Sequence, residues 1–500
     1  MIKTSFASFS ALAQTYQTIP VAAKLFADSL TPIQMFHQLQ DEAHFLLESH
    51  DEASLWSNYS FIGLNPLYEM KEISGSFVTR NKCEETLLEA ASFIELYEKT
   101  MAYLHVAPSE LDLPFKGGAV GYMSYDAIET IEPSLETCYH RHTNYYQFLI
   151  CETLIAFNHQ ENELTIIFHQ RIDDNKKLQE QYFQSVEQVN RVIKKIEEPA
   201  RPLTLKPTPT FEREVSFEQV DSNYQKDQFI ADILKIKEYI RAGDIFQAVL
   251  SQRFSMDVKS SGIEIYRVLR KVNPSPYLFY LKLDGLEIIG SSPERLVQVQ
   301  DQHVEIHPIA GTRKRGNSLE EDQKLSDDLL TDEKERAEHY MLVDLARNDI
   351  GRIAKYGSVQ IPTLLEIARF SHVMHIISKV CGQLREDVKP LEALMASFPA
   401  GTVSGAPKIR AMQILKELEP TRRGIYAGAI GYLGFDGNID SCIAIRTLVL
   451  QEGKASIQAG AGIVADSNPE KEYEETQNKA KALIRAVQMA EEMFGLEEVK

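Results

Sequence analysis

The sequence predicts an α+β fold, because strand-like and helical segments follow one another in blocks instead of alternating strictly. Runs such as YYQFLICETLIAF and ELTIIFHQRI, joined by NHQEN, are typical of antiparallel strand pairs. Residues 424–467 have the pattern of a three-stranded meander with turns at Asp436-Gly437 and Glu452-Gly453. Helical patterns lie between these strands, which favours largely antiparallel sheets flanked by helices over a doubly wound parallel sheet.

The elements divide at a proline-rich stretch. Residues 197–214 contain four prolines among polar residues and show neither helical nor strand periodicity, which predicts a linker. It would join an amino-terminal region, 1–196, to a carboxy-terminal region, 215–500. After the linker, the helical run KDQFIADILKIKEYIRA should end at Gly243, and the last helix should begin after Asn468.

Composition excludes several classes of protein. The 500 residues are 44% hydrophobic, enough for large cores, and the net charge of −19 argues against a nucleic-acid partner. No run approaches the roughly 20 apolar residues of a membrane span, and the N-terminus lacks a signal-peptide core. The five cysteines are scattered and form neither C-x-x-C nor a G-x-C-x-G elbow. We therefore expect a cytoplasmic protein without a thiol nucleophile.

Two helical segments each carry a glutamate pair at spacing three, Glu335 with Glu338 and Glu472 with Glu475. Residues i and i+3 share one face of a helix, so each pair points two carboxylates the same way. Four converging carboxylates would repel one another unless a cation joined them, and Mg²⁺ prefers such oxygen ligands. The alternative is that acidic residues in first turns only favour the helix dipole.

Other polar and glycine-rich segments suggest an anion site. Arg446, in the strand-like run SCIAIRTLVL, could bind a carboxylate or form an internal salt bridge. Gly460 and Gly462 could offer backbone N–H groups or only allow close packing. His375 could be an acid or base near neutral pH or a structural histidine, and Thr402 lies in a glycine turn that lacks the Gly-Lys-Ser/Thr of a phosphate loop. Together these groups could hold a small dicarboxylate and expel an oxygen from it.

The order and wording of the motifs resemble the chorismate-utilising enzymes, and most closely their anthranilate synthase component I branch. The resemblance covers nearly the whole chain, through LLES, NPSPYLF, GSSPERL, HPIAGTRKRG, DEKERAEHYMLVDLARNDIGR, HVMHIIS, FPAGTVSGAPKIRAM, GIYAGAIGY, DSCIAIRT and QAGAGIVADS. It implies two antiparallel sheets packed as a sandwich, with chorismate and Mg²⁺ in a cleft at their edge. The implied reaction is a lyase reaction of tryptophan biosynthesis that converts chorismate and ammonia to anthranilate and pyruvate.

The resemblance also assigns roles to residues. Glu338 and Glu475 match direct metal ligands, and Glu335 and Glu472 would bind the ion through water or orient those ligands. Glu294 matches the general acid that protonates the C4 hydroxyl of chorismate as ammonia attacks C2, and His375 matches the residue of the second step, in which the C2 proton is lost. The remaining matches are the enolpyruvyl carboxylate site, Arg446, Tyr426, Gly460, Ala461 and Gly462, and the residues that line the ring, Gly311, Thr312 and Thr402.

Two positions distinguish the chain from related branches. Gln247 stands where isochorismate-forming and salicylate-forming relatives carry a lysine base, which indicates ammonia as the nucleophile. Ala310 stands in PIAGT where aminodeoxychorismate synthases carry a lysine. Aminodeoxychorismate synthase component I is nevertheless the nearest alternative, and a tryptophan-binding protein without catalysis is another.

The family also implies two partners beside chorismate. Since the chain lacks a glutaminase cysteine, ammonia would come from a separate glutamine amidotransferase subunit, component II, in a hetero-oligomer. The tryptophan feedback pocket of the family is matched by Glu48, Ser49, Pro276, Tyr277 and Leu278. Ordinary core packing is the alternative for these five residues.

Overall fold

Two stacked antiparallel β-sheets form the centre of the computed structural model, which describes residues 2–49, 58–73, 75–135, 144–198, 215–369 and 373–495. The first sheet has the spatial order β1 (Thr18–Phe26), β8 (Glu163–Arg171), β7 (Tyr146–Asn158), β3 (Tyr59–Ile73), β2 (Ala43–Glu48), β11 (Tyr277–Leu283), β12 (Leu286–Ser292), β21 (Thr447–Gln451), β22 (Lys454–Ile463) and β10 (Gln247–Asp257). Two short strands, β9 (Asp221–Ser222) and β18 (Gly405–Ala406), pair with β10.

The second sheet shares the long strands β3 and β7 with the first. Beyond β3 lie β4 (Ser76–Asn81) and β5 (Thr86–Ala90), and beyond β7 lie β6 (Gly118–Met123), β19 (Ala429–Gly434), β20 (Ile439–Ile443), β13 (Arg295–Gln300), β14 (His303–Ile306) and β17 (Val373–Gln383). β17 also pairs with β15 (Ile309–Lys314) and β16 (Gln360–Arg369). The predicted sandwich of largely antiparallel sheets is therefore confirmed.

Helices cover the outer faces of both sheets. They are α1 (Phe6–Leu12), α2 (Pro32–Gln38), α3 (Phe93–Leu104), α4 (Leu178–Glu197), α5 (Lys226–Ala242), α6 (Gly262–Val272), α7 (Leu319–Thr331), α8 (Glu333–Gly351), α9 (Pro390–Ser397), α10 (Lys408–Leu418) and α11 (Pro469–Phe494). One apolar cluster lies between the sheets and includes Phe45, Phe61, Phe279 and Tyr432. Two larger clusters lie under the helices, one below α2, α4, α6 and α11 and the other below α3, α8 and α9.

The predicted ends of α11 and α5 are present, and α8 has a similar cap that was not predicted. α11 begins at Pro469, and the side chain of its N-cap Asn468 accepts hydrogen bonds from the backbone N–H groups of residues 470 and 471. α8 begins after Asp332, whose carboxylate accepts from two N–H groups in the same way. α5 ends at Gly243, which has a φ of +84° that favours glycine.

The predicted three-stranded meander is wrong in its middle strand. The run SCIAIRTLVL is not one strand, because β20 ends at Ile443 and β21 begins at Thr447. Between them Arg446 has a φ of +51°, which breaks the extended backbone. The chain leaves the second sheet at this point and enters the first, so residues 424–467 supply four strands, and Arg446 lies at the crossing.

Both sides of the predicted linker contribute to both sheets. β2 pairs with β11, and β6 pairs with β19. α4 extends through Glu197, and residues 199–214 lie outside the described part of the chain. The division into regions 1–196 and 215–500 therefore stays a prediction. In the described ranges, every helix is too short or too polar to cross a membrane.

Candidate active site

The two glutamate pairs lie on the first two turns of α8 and α11, and the same two lysines stabilise the negative charge of one glutamate in each pair. Lys334 of α8 and Lys479 of α11 each lower the pKa of Glu338 on α8 and of Glu472 on α11. Two helices that are distant in sequence therefore bring their carboxylates into one electrostatic neighbourhood. Lys479 Nζ also lies 2.7 Å from Glu475 Oε1.

The glutamates carry negative charge that nearby groups balance only in part. Burial raises the pKa of Glu338, the amide of Gln247 opposes this from 3.2 Å, and Glu335 raises the pKa further. Burial also raises the pKa of Glu472, and repulsion from Glu475 adds to the rise. Like charges that disfavour ionisation attract a cation to the same place.

The oxygen atoms of these carboxylates are of the type that suits a hard divalent ion, but the side chains do not converge on one point. Within the described ranges, no three acidic, histidine or cysteine side chains lie close enough together to hold a metal. Glu335 instead forms a salt bridge of 3.2 Å with Arg313, and Glu475 is paired with Lys479. Four carboxylate groups on two helix ends are nevertheless the ligand type that Mg²⁺ prefers.

Glu294 is a buried carboxyl group at the point where β12 has ended and β13 begins. It is 8% exposed, and burial raises its pKa to about 8, with smaller opposing effects from Thr402 and Lys479. Its main-chain carbonyl accepts a hydrogen bond of 3.0 Å from the N–H of Ile443. A carboxyl group in this environment carries a proton at neutral pH and can act as an acid.

His375 of β17 is held in one tautomer by a backbone carbonyl. Its Nδ1 lies 2.8 Å from the carbonyl oxygen of Gly311 and 3.1 Å from Thr312 Oγ1. Because a carbonyl oxygen can only accept, the proton sits on Nδ1, and Nε2 is the basic nitrogen. Burial lowers the pKa of His375, so the neutral ring predominates near pH 7.

A second group of residues surrounds the end of β22. Arg446 Nη1 donates to the main-chain oxygen of Lys479, and Lys479 Nζ donates to the carbonyl of Gly460 at 2.9 Å. A β-carbon added at Gly460 would lie 2.9 Å from the hydroxyl oxygen of Tyr426. Arg446, Tyr426 and this backbone segment are thus adjacent.

Two further glycines lie close to polar side chains of the site. Gly311 has a φ of +69°, and an added β-carbon would lie 3.2 Å from Glu335 Oε2. At Gly462 an added β-carbon would lie 2.6 Å from Gln247 Nε2. The backbone therefore comes close to both the glutamates and the amide of Gln247, with Ala461 buried between the two glycines of β22.

The five predicted effector residues line one cavity between the sheets, away from the glutamates. Glu48 ends β2 and Ser49 follows it, and Pro276 to Leu278 lie at the start of β11. The polar and aromatic wall is completed by Arg295, Tyr432 and Asp440. Glu48 is 8% exposed. It accepts a hydrogen bond of 2.6 Å from the hydroxyl of Tyr266 and forms a salt bridge of 3.2 Å with Arg270. The cavity thus has two buried carboxyl groups, Glu48 and Asp440, in a largely apolar lining.

Two features of this region were not predicted from the sequence. Lys479 lies among the glutamates, although its spacing of four from Glu475 on a helix is a signal that would have found it. A polar cleft of about 650 Å³, lined by residues that include Glu72, Ser124, Arg253 and Tyr426, opens between the sheets. Its wall comes from strands far apart in sequence, so no local pattern indicates it.

Comparisons with known proteins agree on one family. The family model described as chorismate binding enzyme matches residues 43–485. The chain is 52% identical to anthranilate synthase component 1 of Geobacillus stearothermophilus, over 98% of this chain and 97% of that protein. It is 51% identical to the protein of the same name from Bacillus caldotenax, over 99% of both chains.

A solved structure has the same fold. The crystal structure of anthranilate synthase component I from Streptococcus pneumoniae TIGR4 matches with a TM-score of 0.75 and 36% sequence identity, over 92% of this chain and 99% of that chain. The menaquinone-specific isochorismate synthase MenF from Escherichia coli matches with a TM-score of 0.68 and 19% identity, which shows likeness of fold alone.

Proposed function

Because the chain belongs to the anthranilate synthase component I family of chorismate-binding enzymes, we propose that it converts chorismate and ammonia to anthranilate and pyruvate. The observation that carries the proposal is that the chain holds a buried carboxyl group with a raised pKa, Glu294, and a histidine that a backbone carbonyl keeps in one tautomer, His375. Two groups whose environments push their protonation states in opposite directions are typical of acid–base catalysis.

In the first step Glu294 gives its proton to the C4 hydroxyl, which leaves as water while ammonia attacks C2. Burial keeps this carboxyl group protonated at neutral pH, so the acid is available when substrate binds. Thr402 lies beside it and would help hold the ring. Loss of hydroxide without an acid is slow, and a positioned acid typically contributes about 10²–10⁴ in rate.

In the second step His375 takes the C2 proton through Nε2. The electrons of the broken C2–H bond complete the aromatic ring, the enolpyruvyl C–O bond breaks, and the released enolate gains one proton at its terminal carbon to become pyruvate. The carbonyl of Gly311 holds the proton on Nδ1, which keeps the lone pair on the other nitrogen. Thr312 Oγ1 lies 3.1 Å from the same nitrogen.

The two carboxylates of chorismate would bind at different places. Arg446, Tyr426 and the backbone of Gly460 to Gly462 would receive the enolpyruvyl carboxylate, since a guanidinium and backbone N–H groups suit an anion. Glu338 and Glu475, with Glu335 and Glu472 behind them, would hold Mg²⁺, which would neutralise the ring carboxylate. Gln247 contributes an amide, not an amine, beside Glu338, which supports ammonia over water as nucleophile.

Ammonia would come from a separate glutamine amidotransferase subunit. The buried thiols of Cys151, Cys381 and Cys442 have a pKa raised by burial, so they are poor nucleophiles. Cys83 is exposed, and Cys138 lies outside the described residues.

We also propose that the cavity at Glu48 and Ser49 binds L-tryptophan as a feedback inhibitor, and that the enzyme works in the cytoplasm.

One assay tests the activity. The purified chain with chorismate, Mg²⁺ and ammonium salt at alkaline pH should produce anthranilate fluorescence, and chelation of the metal should abolish it. Accumulation of an aminodeoxychorismate instead would assign the chain to the nearest alternative, which Ala310 disfavours. A chain that binds tryptophan but leaves chorismate unchanged would contradict the proposal.

A further inference from the structure

We propose that Arg295 is a positioning residue that couples the effector cavity to both Glu294 and His375. The inference rests on the proposed function, because it concerns how a ligand in that cavity would change the proposed active site. It extends that function by naming the residue through which the two sites communicate.

On the cavity side, Arg295 is part of a buried hydrogen-bonded cluster. Its Nε donates to the hydroxyl oxygen of Tyr277 at 2.7 Å, and that hydroxyl donates to Asp440 Oδ1 at 2.9 Å. Arg295 Nε also lies 3.6 Å from Asp440 Oδ1. The side chains of Arg295 and Asp440 are only 12% and 5% exposed, so leaving either charge without a partner would be costly.

Arg295 is also the residue that follows Glu294, and it begins β13. Its backbone is opposite Cys442 of β20, and the register shifts between residues 295 and 297. The next residue of β20, Ile443, donates its N–H to the carbonyl of Glu294. If the Arg295 side chain rearranges and shifts the start of β13, the neighbouring Glu294 therefore shifts with it.

A second branch of contacts runs from Arg295 towards His375. Arg295 Nη1 lies 3.4 Å from His307 Nε2 and 3.8 Å from Glu305 Oε2. Glu305 Oε1 lies 2.6 Å from Lys379 Nζ. Burial by itself would raise the pKa of Glu305, but the contacts with His307 and Lys379 outweigh it and lower that pKa to about 2. Glu305 is therefore fully ionised, and its ion pair with Lys379 links β14 to β17.

This second branch of contacts ends at β17 and β15, the strands that carry and position His375. Lys379 and His375 both lie on β17, four residues apart, so their side chains leave the same face of the strand. His307 directly precedes the segment that leads into β15, whose Gly311 carbonyl holds His375 Nδ1. One guanidinium thus contacts groups that position the acid and groups that position the base.

An amino acid in the cavity would disturb this cluster. Its charged ammonium and carboxylate would lie beside Tyr277, Asp440 and Arg295, which line the cavity, and they would compete for the same hydrogen bonds. When the guanidinium changes partners, Glu294 and the Glu305–Lys379 contact lose their present support. Inhibition then follows from displaced catalytic groups without any overlap between the two ligands.

The decisive measurement is the ratio of tryptophan dissociation constants with and without saturating chorismate, by calorimetry in the absence of ammonia. Coupling between sites is typically about 5–150-fold, and binding linkage makes it reciprocal. We expect coupling in that range for the unmodified chain and a ratio within about twofold of one for Arg295→Met. Saturating tryptophan should then leave most of the residual activity of Arg295→Met in place.

Arg270→Met is the matched control, because Arg270 also contacts the cavity, through Glu48, but belongs to α6. It should weaken tryptophan binding while full inhibition persists at saturation. Tyr277→Phe is a second variant, with nearly unchanged shape, that keeps the inference testable if Arg295→Met folds poorly. It should also lower the coupling between tryptophan and chorismate. A merely structural arginine would lower thermal stability and leave the coupling ratio unchanged.

Coupling of the wild-type size in both Arg295→Met and Tyr277→Phe would overturn the inference. Failure of the proposed function has a different signature, because the unmodified chain itself would then form no anthranilate or bind no tryptophan.

Discussion

Replacing Glu294 by glutamine tests the acid assignment and the electrostatics behind it together. Burial raises the pKa of this carboxyl group from 4.5 to about 8. At about 1.4 kcal/mol per pH unit, the rise corresponds to roughly 5 kcal/mol in favour of the protonated form in the folded chain. At pH 7 about ten molecules carry the proton for each that does not. Glutamine has nearly the same shape and stays neutral but cannot act as an acid.

Turnover of Glu294→Gln should fall by about 10²–10⁴. For the unmodified chain, kcat should fall about tenfold per pH unit above the pKa of Glu294, since only the protonated carboxyl group is active. Anthranilate fluorescence should be followed with component II and glutamine, because the supply of free ammonia itself changes with pH. Glu287→Gln, on β12 where Glu287 accepts from the Tyr280 hydroxyl, is the control and should keep its turnover.

The same substitution has a signature in stability. The folded chain holds the Glu294 proton up to about pH 8, whereas the unfolded chain releases it near pH 4.5. The folded state therefore binds more protons between these values, and the stability of the unmodified chain declines as pH rises through this window. The Tm advantage of Glu294→Gln over the unmodified chain should grow from pH 5 to 8 and then level off.

Three results would refute this reasoning. The first is wild-type turnover in Glu294→Gln, which would exclude the residue as the acid. The second is a kcat that stays constant above pH 8. The third is a Tm difference that does not change between pH 5 and 8, which would mean that the buried carboxyl group has an ordinary pKa in the folded chain.

Four further outcomes are expected. Glu338→Gln should lose Mg²⁺-dependent turnover with its circular dichroism unchanged, whereas Glu333→Gln on the same helix should stay active; retained turnover in Glu338→Gln would remove the metal assignment. Ser49→Phe should relieve tryptophan inhibition at a nearly unchanged uninhibited rate, and a fully inhibitable variant would return this residue to ordinary packing. Gly460→Ala should raise the KM for chorismate, because its methyl group would crowd the hydroxyl of Tyr426; an unchanged KM would contradict the carboxylate site. The isolated chain should use ammonium but not glutamine until component II is added, and glutamine-dependent activity of the pure chain would reveal a glutaminase site.

Local features of this protein were determined by the sequence itself. The start of α11 at Pro469, the end of α5 at Gly243 and the placement of each glutamate pair on one helix face follow from residue types within a few positions of one another. Capping, positive φ and spacing of three need no knowledge of distant residues. The strand and helix pattern also gave the fold class, since antiparallel runs and helices occur in blocks.

The tertiary structure decided what depends on distant residues. The break at Arg446 was missed because SCIAIRTLVL has an unbroken strand pattern, and only the passage between two sheets imposes its positive φ. The raised pKa of Glu294 depends on burial by other elements, and Lys479 lowers the pKa of Glu338 only because the first turns of α8 and α11 lie near each other. Pairings such as β2 with β11 join residues more than 200 positions apart, and local periodicity does not encode which distant strands pair.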